Sequence, residues 1–258
     1  MSGRTFQSFH RVDVLGVPVA RLSTAEFVQT MLTEAQARGG GVQPPALVTY
    51  LNAACSNIAS ADAGYAEILR GADCVYADGQ AIVWASRWLA GRGAGLPERV
   101  NAGDFIVEFC RAAAERGISI ALIGGRPGVA SAAAERWNST VPDLNVAGTW
   151  DGFFQNDTEL RTAIESIEAA TPDIILVGMG VPLQEKWAVE HLVGVKCGAI
   201  WCVGALFEYF GEGRRRAPVW MRRAGLEWAF RLMLEPGRLW KRYLVGNVRF
   251  VARILGQR

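Results

Sequence analysis

Two polar side chains, Asn52 and Asp78, each follow a short apolar segment that is typical of a buried strand, 46–51 and 74–77 respectively. The carboxyl ends of parallel strands meet at one edge of a sheet, where ligands bind, so we expect the two side chains to lie near each other. A carboxylate at that edge is well placed to act as a general base. Because Asp78 also precedes a predicted helix over 79–91, an N-cap role is an equal alternative.

Two glycine-containing segments, 123–128 and 178–185, also follow apolar strands and precede predicted helices. Backbone amides that glycine leaves open at a helix N-terminus bind phosphate. The first segment is equally typical of a tight strand-to-helix turn, and it is not the GxGxxG pattern of dinucleotide-binding proteins. In the second segment, Gln184 and Glu185 fall in the first helical turn, where their side chains could hydrogen-bond a sugar or a base. The alternative for Glu185 is that its negative charge stabilises the N-terminus of the helix.

A third polar cluster, Arg99, Asn101 and Asp104, precedes a predicted helix over 103–117. The chain contains no D-x-D motif, which weakens any proposal of a divalent ion that holds a nucleotide diphosphate through that motif. Its five cysteines and two histidines are scattered, with no CxxC pair, so neither a zinc site nor a disulfide framework is expected. We interpret the cysteines as small core residues in a reducing compartment.

The elements that must position these residues alternate along the chain. Apolar segments rich in Val and Ile predict strands over 46–51, 74–77, 118–123, 144–147, 173–178 and 197–203. Helix-like segments lie over 53–71, 79–91, 103–117, 127–140, 157–170 and 182–193. This alternation predicts an α/β fold, a mostly parallel sheet with helices on both faces.

The chain has 258 residues, enough to bury a large core without disulfide bonds or a structural metal. Its N-terminus lacks the charged start and apolar region of a secretory signal. It also lacks a run of about 18 apolar residues, so no spanning helix is expected. We predict an α/β core over 1–212 and a helical appendage over 213–258.

Charge is concentrated in that appendage. Residues 214–258 hold eleven arginines and Lys241 against two glutamates, whereas the whole chain has a net charge of +2. On one continuous helix over 238–255, at about 100° per residue, basic residues fall on one face and aromatic and aliphatic residues on the other. This pattern is typical of a helix that lies in an anionic membrane interface. The alternative is a helix whose apolar face packs on its own domain. The predicted membrane-contacting residues are Trp240, Arg242, Tyr243, Arg249 and Arg253.

Taken in order, these motifs resemble the WecG/TagA/CpsF glycosyltransferases (glycosyltransferase family 26) over about residues 46–250. The resemblance depends on Asn52 after a strand, on Ala-Asp-Gly at 77–79, on Glu-Arg-Val-Asn at 98–101, on Gly-Met-Gly-Val-Pro-Leu-Gln-Glu-Lys-Trp at 178–187, and on two tail blocks at 216–218 and 225–232. The block at 178–187 and the tail motif over 216–232 are highly specific as a pair.

The resemblance implies a Rossmann-like α/β domain with a C-terminal appendage that contacts the membrane and helps to close the active site. It implies an inverting, metal-independent transferase that needs no cofactor. Such an enzyme moves a hexose or N-acetylhexosamine, of glucose or ManNAc type, from a UDP-sugar to a polyprenyl-diphosphate-linked sugar in bacterial surface polysaccharide synthesis, including exopolysaccharide biosynthesis. The expected location is the cytoplasmic face of the bacterial inner membrane, as a peripheral protein, and a homo-oligomer is left open.

The resemblance also implies roles for individual residues. Asp78 becomes the base that takes a proton from the acceptor hydroxyl, while Arg99, Gln184 and Arg216 meet donor or phosphate groups. The predicted substrate-binding residues are Thr49, Asn52, Arg99, Asn101, Asp104, Gly124, Gly180, Gln184, Glu185 and Arg216. One residue more separates Thr49 from Asn52 than in the family's usual Thr-x-Asn pattern. Two alternatives follow, in which either Thr49 faces the pocket or Tyr50 takes its place.

Two other functions compete with the transferase. A nucleotide-cofactor oxidoreductase would use the glycine turn at 124–128. A nucleic-acid-binding protein would use the arginine-rich tail, but the acidic body and the lack of a recognisable binding module disfavour it. We therefore expect no nucleic-acid partner.

Overall fold

A computed structural model describes residues 4–257 apart from positions 42, 92 and 214. In order along the chain, its strands are β1 (Arg11–Val14), β2 (Val17–Ala20), β3 (Ala46–Leu51), β4 (Cys74–Ala77), β5 (Ile120–Gly124), β6 (Val146–Trp150), β7 (Ile174–Gly178) and β8 (Ala199–Cys202). The first two form an antiparallel hairpin. The other six form one sheet in the order β4-β3-β8-β7-β5-β6, with every neighbouring pair parallel, which confirms the predicted α/β fold.

Helices flank the sheet and form the C-terminal part of the chain. They are α1 (Thr24–Arg38), α2 (Ala53–Ala59), α3 (Ala63–Gly71), α4 (Gln80–Ala90), α5 (Ala102–Glu115), α6 (Val129–Thr140), α7 (Asp157–Ala170), α8 (Leu183–His191), α9 (Leu206–Gly211), α10 (Val219–Arg223), α11 (Glu227–Leu234), α12 (Pro236–Trp240) and α13 (Gly246–Gly256). A short 3-10 helix covers Phe6–Ser8, and a π-helical turn over Lys241–Val245 joins α12 to α13.

The central strands form because their apolar side chains are covered on both faces. Every residue of β5 and β7 is buried, as expected for parallel strands between two helical layers. Edge strand β6 is only half-buried. An aromatic cluster on one face, including Phe27, Phe105 and Trp201, packs at ring separations of 5.2–6.0 Å and fixes α1 and α5 against β8.

The structure differs from the predicted elements in three places. The strand predicted over 144–147 lies at Val146–Trp150. The helix predicted over 53–71 is two helices, because Asp62 accepts a hydrogen bond from the Tyr65 amide and caps a new helix. The hairpin, α1 and α9 have no counterpart among the elements that the sequence predicts.

All five cysteines are free and buried, as predicted. Burial raises the pKa of the thiols of Cys55, Cys110 and Cys197 to about 12. These side chains therefore pack as small apolar groups and stay protonated at neutral pH.

The C-terminal helices dock on the core at the end where β3 and β4 terminate. Phe250 and Ile254 of α13 are buried against the main core. The Asn57 side chain donates to the Gly246 carbonyl at 2.7 Å, and Arg253 donates to the Ser56 carbonyl at 2.9 Å. Among the described residues, no helix is both long enough and apolar enough to cross a bilayer.

Candidate active site

Asp78 lies directly after β4, where its amide donates to the Leu51 carbonyl at 3.0 Å and so continues the pairing with β3. Helix α4 is capped by Gly79 without any side-chain hydrogen bond, so the N-cap alternative for Asp78 is not realised. The Asp78 carboxylate instead accepts a hydrogen bond from Asn101 at 2.6 Å. Asn101 in turn accepts from Arg216 at 3.1 Å, which orients the amide so that its NH₂ group faces Asp78.

The environment of Asp78 raises the pKa of its carboxyl group. Burial raises the pKa of the Asp78 carboxyl above its ordinary value, and the nearby Glu227 raises it further. The guanidinium groups of Arg99 and Arg231 and a hydrogen bond from Asn52 oppose this shift without cancelling it. A carboxylate with a raised pKa accepts a proton more readily near neutral pH.

Asn52 follows β3 and is held rigidly beside Asp78. Its side-chain oxygen caps α2 by accepting from the amides of Ala54 and Cys55, both at 3.0 Å. Any side chain at Gly79 would start 3.2 Å from the Asn52 Cβ, so glycine lets the ends of β3 and β4 approach this closely. The proximity of Asn52 and Asp78 expected from the sequence is therefore observed.

Two chambers meet at Asp78. The first, which we call the strand-end chamber, has a volume of about 590 Å³ and lies over the ends of the strands. The second, the tryptophan chamber, has a volume of about 320 Å³ and lies between α2, α4 and the C-terminal helices. The residues that line both are Asn52, Asp78, Asn101, Arg231, Arg242 and Tyr243.

The walls of the two chambers differ in chemistry. Tyr50, Tyr209, Arg215 and the Gly180 loop are among the residues that line the strand-end chamber. Those that line only the tryptophan chamber include Ala53, Ala54, Ala81, Trp84, Trp228, Phe250 and Val251. Asp78 thus faces a polar, basic space on one side and, on the other, a mostly apolar space that Arg99 and Glu227 also line.

An ion-pair network joins the core to the appendage beside Asp78. Its carboxylates are Asp104 on α5 and Glu227 on α11, and its guanidinium groups belong to Arg99, Arg216, Arg222 and Arg231.

Within this network Arg99 contacts Glu227 at 3.0 Å and Arg216 contacts Asp104 at 2.9 Å, while Arg99 and Arg222 also pair with Asp104. Only 13% of the Arg99 and 12% of the Glu227 side chain is exposed, so water screens this pair little. Because, among the residues that the structure describes, four guanidinium groups face two carboxylates, the cluster carries excess positive charge and suits a phosphate group.

Tyr209 on α9 extends the basic wall of the strand-end chamber. The Arg231 guanidinium lies 5.1 Å from the centre of the Tyr209 ring, and that of Arg216 lies 5.5 Å from it. These cation–π contacts help to fix the position of both arginines, in addition to their ion pairs with Asp104 and Glu227.

Below the chambers, three predicted substrate-binding residues are fully buried, namely Thr49, Gln184 and Glu185. Thr49 and Gln184 donate to Glu185 Oε1 at 2.8 and 2.7 Å, and Gln184 accepts from the Gly204 amide at 2.8 Å. None of the three lines either chamber, so the structure gives them a supporting position under the ends of β3, β7 and β8. Tyr50 lines the strand-end chamber, which is the second of the two alternatives for Thr49.

Glu185 is buried with its second carboxylate oxygen, Oε2, unpartnered among the described residues. Burial raises the pKa of Glu185 to about 7, although hydrogen bonds from Gln184 and Thr49 lower it. The folded protein therefore binds this proton more tightly than the unfolded chain does. The stabilisation is complete below about pH 4.5 and is lost as the pH rises to about 7.

We expect Glu185→Gln to remove this pH dependence. Between pH 4.5 and pH 8 the unaltered protein should lose up to about 3 kcal/mol of unfolding free energy relative to the variant. Urea unfolding at the two pH values measures this difference. Glu190→Gln, an exposed change on the same helix, is the control. If the free energy of unfolding changed equally with pH in the unaltered protein and in Glu185→Gln, Glu185 would not titrate in this range.

The glycine turn at 124–128 lies away from Asp78 and lines neither chamber. A Cβ at Gly124 would lie 2.3 Å from the Gly178 carbonyl oxygen, so this glycine allows β5 and β7 to close against each other. The Gly128 amide, where a phosphate would bind, already donates to the Asp151 carboxylate at 3.0 Å. The predicted substrate contact of Gly124 thus has no support in the geometry, nor does the nucleotide-cofactor alternative.

The predicted membrane residues do not share one face. Helical backbone continues through 238–255 as predicted, but the π-helical turn between α12 and α13 changes the helical register, so the constant angle per residue assumed over 238–255 does not hold. Arg253 points to the core, and Phe250 is buried there. Trp240, Arg242 and Arg249 remain exposed, and Tyr243 is half-buried at the junction of the chambers.

Several exposed apolar side chains lie on neighbouring turns of this region, among them Leu244, Val248, Val251 and Leu255. One side of the tail therefore packs on the core, as the second alternative predicts, while contact of the exposed side with a membrane stays a prediction.

Sequence reasoning did not assign site positions to Glu227, Arg231, Trp228 and Trp84. The first three lie in the tail block 225–232, which carried the resemblance but no residue roles. Trp84 lies on a core helix, where its side chain is the kind of exposed aromatic group that a helical pattern alone does not single out.

The chain is similar to known proteins over most of its length. The model of the "Glycosyl transferase WecG/TagA/CpsF family" matches residues 12–258. An N-acetylglucosaminyldiphosphoundecaprenol N-acetyl-beta-D-mannosaminyltransferase from Bacillus subtilis (strain 168) is 32% identical over 203 residues, which are 77% of this chain and 75% of the relative. The protein of the same name from Staphylococcus aureus (strain MRSA252) is 27% identical over 232 residues, 90% of this chain and 86% of the relative. The chain belongs to the WecG/TagA/CpsF family of glycosyltransferases.

Proposed function

We propose that this protein transfers N-acetylmannosamine, or a related hexose, from a UDP-sugar to a sugar that is linked through a diphosphate to a polyprenol. The observation that carries the proposal is the half-buried Asp78 at the junction of a basic chamber and an apolar chamber. The names of the two relatives supply the acceptor class and the sugar. Surface polysaccharide synthesis is the process such a product would feed.

In the proposed reaction, Asp78 takes the proton from the acceptor hydroxyl. The hydroxyl oxygen forms a bond to the anomeric carbon from the side opposite the nucleotide, and the bond from that carbon to the diphosphate oxygen breaks. UDP leaves with the bonding electron pair, and the configuration of the sugar inverts. The proton that Asp78 accepts balances the step.

The leaving diphosphate needs stabilisation of its growing negative charge. Arg231 and Arg242 line both chambers, and Arg99 and Arg216 belong to the adjacent ion-pair network. Fixed cationic donors at this point act on charge that develops in the transition state. We propose that these arginines carry the role without a metal ion.

Delivery of a lipid-linked acceptor also fits the appendage. Val248 is 69% exposed, and Leu244, Val251 and Leu255 are more than half exposed near Arg242 and Arg249. Apolar side chains beside basic ones favour an anionic bilayer surface. We propose a peripheral location at the cytoplasmic face of the bacterial inner membrane, where both substrates meet.

The test is a transfer assay on the purified full chain with a synthetic N-acetylglucosaminyl diphosphate lipid and a panel of UDP-sugars. We expect one sugar to be added per UDP released, a product whose anomeric configuration is inverted, and no loss of turnover in excess EDTA. Product mass and NMR of the new linkage measure these outcomes. Release of free sugar without transfer, or no UDP release with any donor, would contradict the proposal.

A further inference from the structure

A concave aromatic surface lies outside the active site, on α4. Trp84 and Trp88 are one helical turn apart and face the same way, and they are 57% and 49% exposed. Together with Arg21, Arg87 and the segment 95–97 they line a groove of about 690 Å³, which we call the outer groove. Two tryptophans exposed side by side in a concavity are typical of a binding surface.

The walls of the outer groove are fixed by its two arginines. Arg87 donates to the carbonyls of Leu96 and Pro97 at 3.1 and 2.6 Å, and Arg21 donates to the Gly95 carbonyl at 3.0 Å. Arg87 thus holds the loop against α4, and Arg21 holds it against the end of the β1–β2 hairpin. The open surface that remains is largely aromatic, which suits an apolar ligand.

Trp84 connects the outer groove to the active site, because it lines both the outer groove and the tryptophan chamber. A Cβ at Gly225 would lie 3.5 Å from the Trp84 ring, so the appendage backbone closes over α4 at this point. Beyond it, Trp228 and Phe250 continue the apolar wall. Apolar surface therefore extends from the neighbourhood of Asp78 to the outside along α4.

The chemical groups along this surface change in a fixed order. Asp78 lies at the junction of the chambers, the ion-pair network with its excess of arginines lies beside it, and the apolar walls of the tryptophan chamber lie to one side. A sugar joined by a diphosphate to a prenyl chain presents the same order of groups, which are hydroxyl, negative charge and hydrocarbon. We propose that Trp84 and Trp88 bind the first isoprene units of the acceptor lipid and guide the chain from the tryptophan chamber into the outer groove. This inference rests on the proposed function.

A prenyl chain fits this surface better than a flat bilayer does. A concave groove can surround a single chain and remove apolar area from water on several sides, whereas a bilayer surface contacts protruding residues. The exposed aliphatic residues of α13 protrude in that way, but the two tryptophans line a depression.

The experiment compares two acceptors with the same sugar and diphosphate, one on a short alkyl chain and one on a long polyprenyl chain, both in the same mild detergent. The measured quantity is the ratio of kcat/KM for the long acceptor to that for the short one. We expect Trp84→Ala together with Trp88→Ala to lower this ratio about tenfold, equivalent to about 1.4 kcal/mol of binding. Trp88→Phe keeps an aromatic ring, so we expect this variant to retain most of the unaltered protein's ratio.

Phe153→Ala is the matched control. Phe153 is as exposed as Trp84, at 58%, but follows β6 at the opposite edge of the sheet. We expect the ratio of kcat/KM for the long and short acceptors to be the same in Phe153→Ala as in the unaltered protein. Circular dichroism and thermal unfolding show whether each variant is folded.

The outcomes separate the two proposals. If the unaltered protein uses both acceptors and the tryptophan variants keep its ratio, the inference is wrong and the proposed function stands. If the unaltered protein uses neither acceptor with any UDP-sugar, the proposed function is wrong. A defect seen only with acceptor embedded in anionic vesicles, and absent in detergent, assigns the tryptophans to the bilayer and also overturns the inference.

Discussion

Asp78→Asn lowers the turnover number by about 10³-fold if the carboxylate is the base that activates the acceptor hydroxyl. Asparagine has nearly the same shape, and its side-chain oxygen can still accept the hydrogen bond from Asn101. The variant therefore keeps the local structure and loses only the capacity to take a proton. The measurement is single-turnover transfer, with calorimetric titration of the UDP-sugar to show that donor binding is retained.

Asp151→Asn is the matched control, because Asp151 follows β6 as Asp78 follows β4, at the opposite edge of the same sheet. Turnover by Asp78→Asn within a few-fold of the unaltered protein would exclude the assignment of the base. The pH profile gives a second readout. Since burial raises the pKa of Asp78, kcat/KM of the unaltered protein should fall as the pH drops through that raised value.

Arg231→Gln has the second largest expected effect, a loss of about 10²-fold in kcat. Arg231 lines both chambers beside Asp78, so its charge acts on the diphosphate that gains negative charge as the sugar leaves. An interaction that strengthens in the transition state changes kcat more than KM. Steady-state kinetics with the preferred donor separates the two constants.

The change should leave the fold intact, because Glu227 keeps its contacts with Arg99 at 3.0 Å and Arg216 at 3.5 Å. Arg161→Gln on α7, exposed and distant from the site, controls for the loss of one positive charge. A kcat near that of the unaltered protein would mean that other groups carry the charge of the leaving diphosphate.

The sheet and the position of Asp78 could be predicted from the sequence for a local reason. Buried parallel strands are nearly uninterrupted apolar runs, and a polar residue directly after such a run has to lie at the edge of the sheet. Asn52 and Asp78 meet because β3 and β4 are consecutive strands that pair with each other. Neither conclusion needs knowledge of distant contacts.

The other parts of the site depend on contacts between distant segments. Adjacent residues of a strand point to opposite faces, but the sequence does not tell which face of β3 carries the cleft, so Thr49 and Tyr50 could not be separated. The buried Glu185 accepts a hydrogen bond from Thr49, which lies 136 residues earlier in the chain. Arg99 pairs with Glu227 across 128 residues.

In the tail, the orientation of residues predicted from the sequence differs from the structure for another reason. A helical-wheel argument assumes a constant angle per residue, and the π-helical turn at Lys241–Val245 breaks that assumption between Trp240 and Arg253. The sequence therefore predicts a helical tail with apolar and basic residues, but it does not predict that Phe250 and Arg253 face the core.

The buried, protonated state of all five native thiols has a practical consequence for spectroscopy. Maleimide dyes and nitroxide spin labels react with exposed thiolate, which these cysteines do not offer in the folded protein. A single cysteine engineered at a solvent-facing position of α13 could therefore be labelled selectively in the otherwise native sequence. Such a reporter would follow the approach of the appendage to lipid without a cysteine-free background, whose five substitutions would disturb the core.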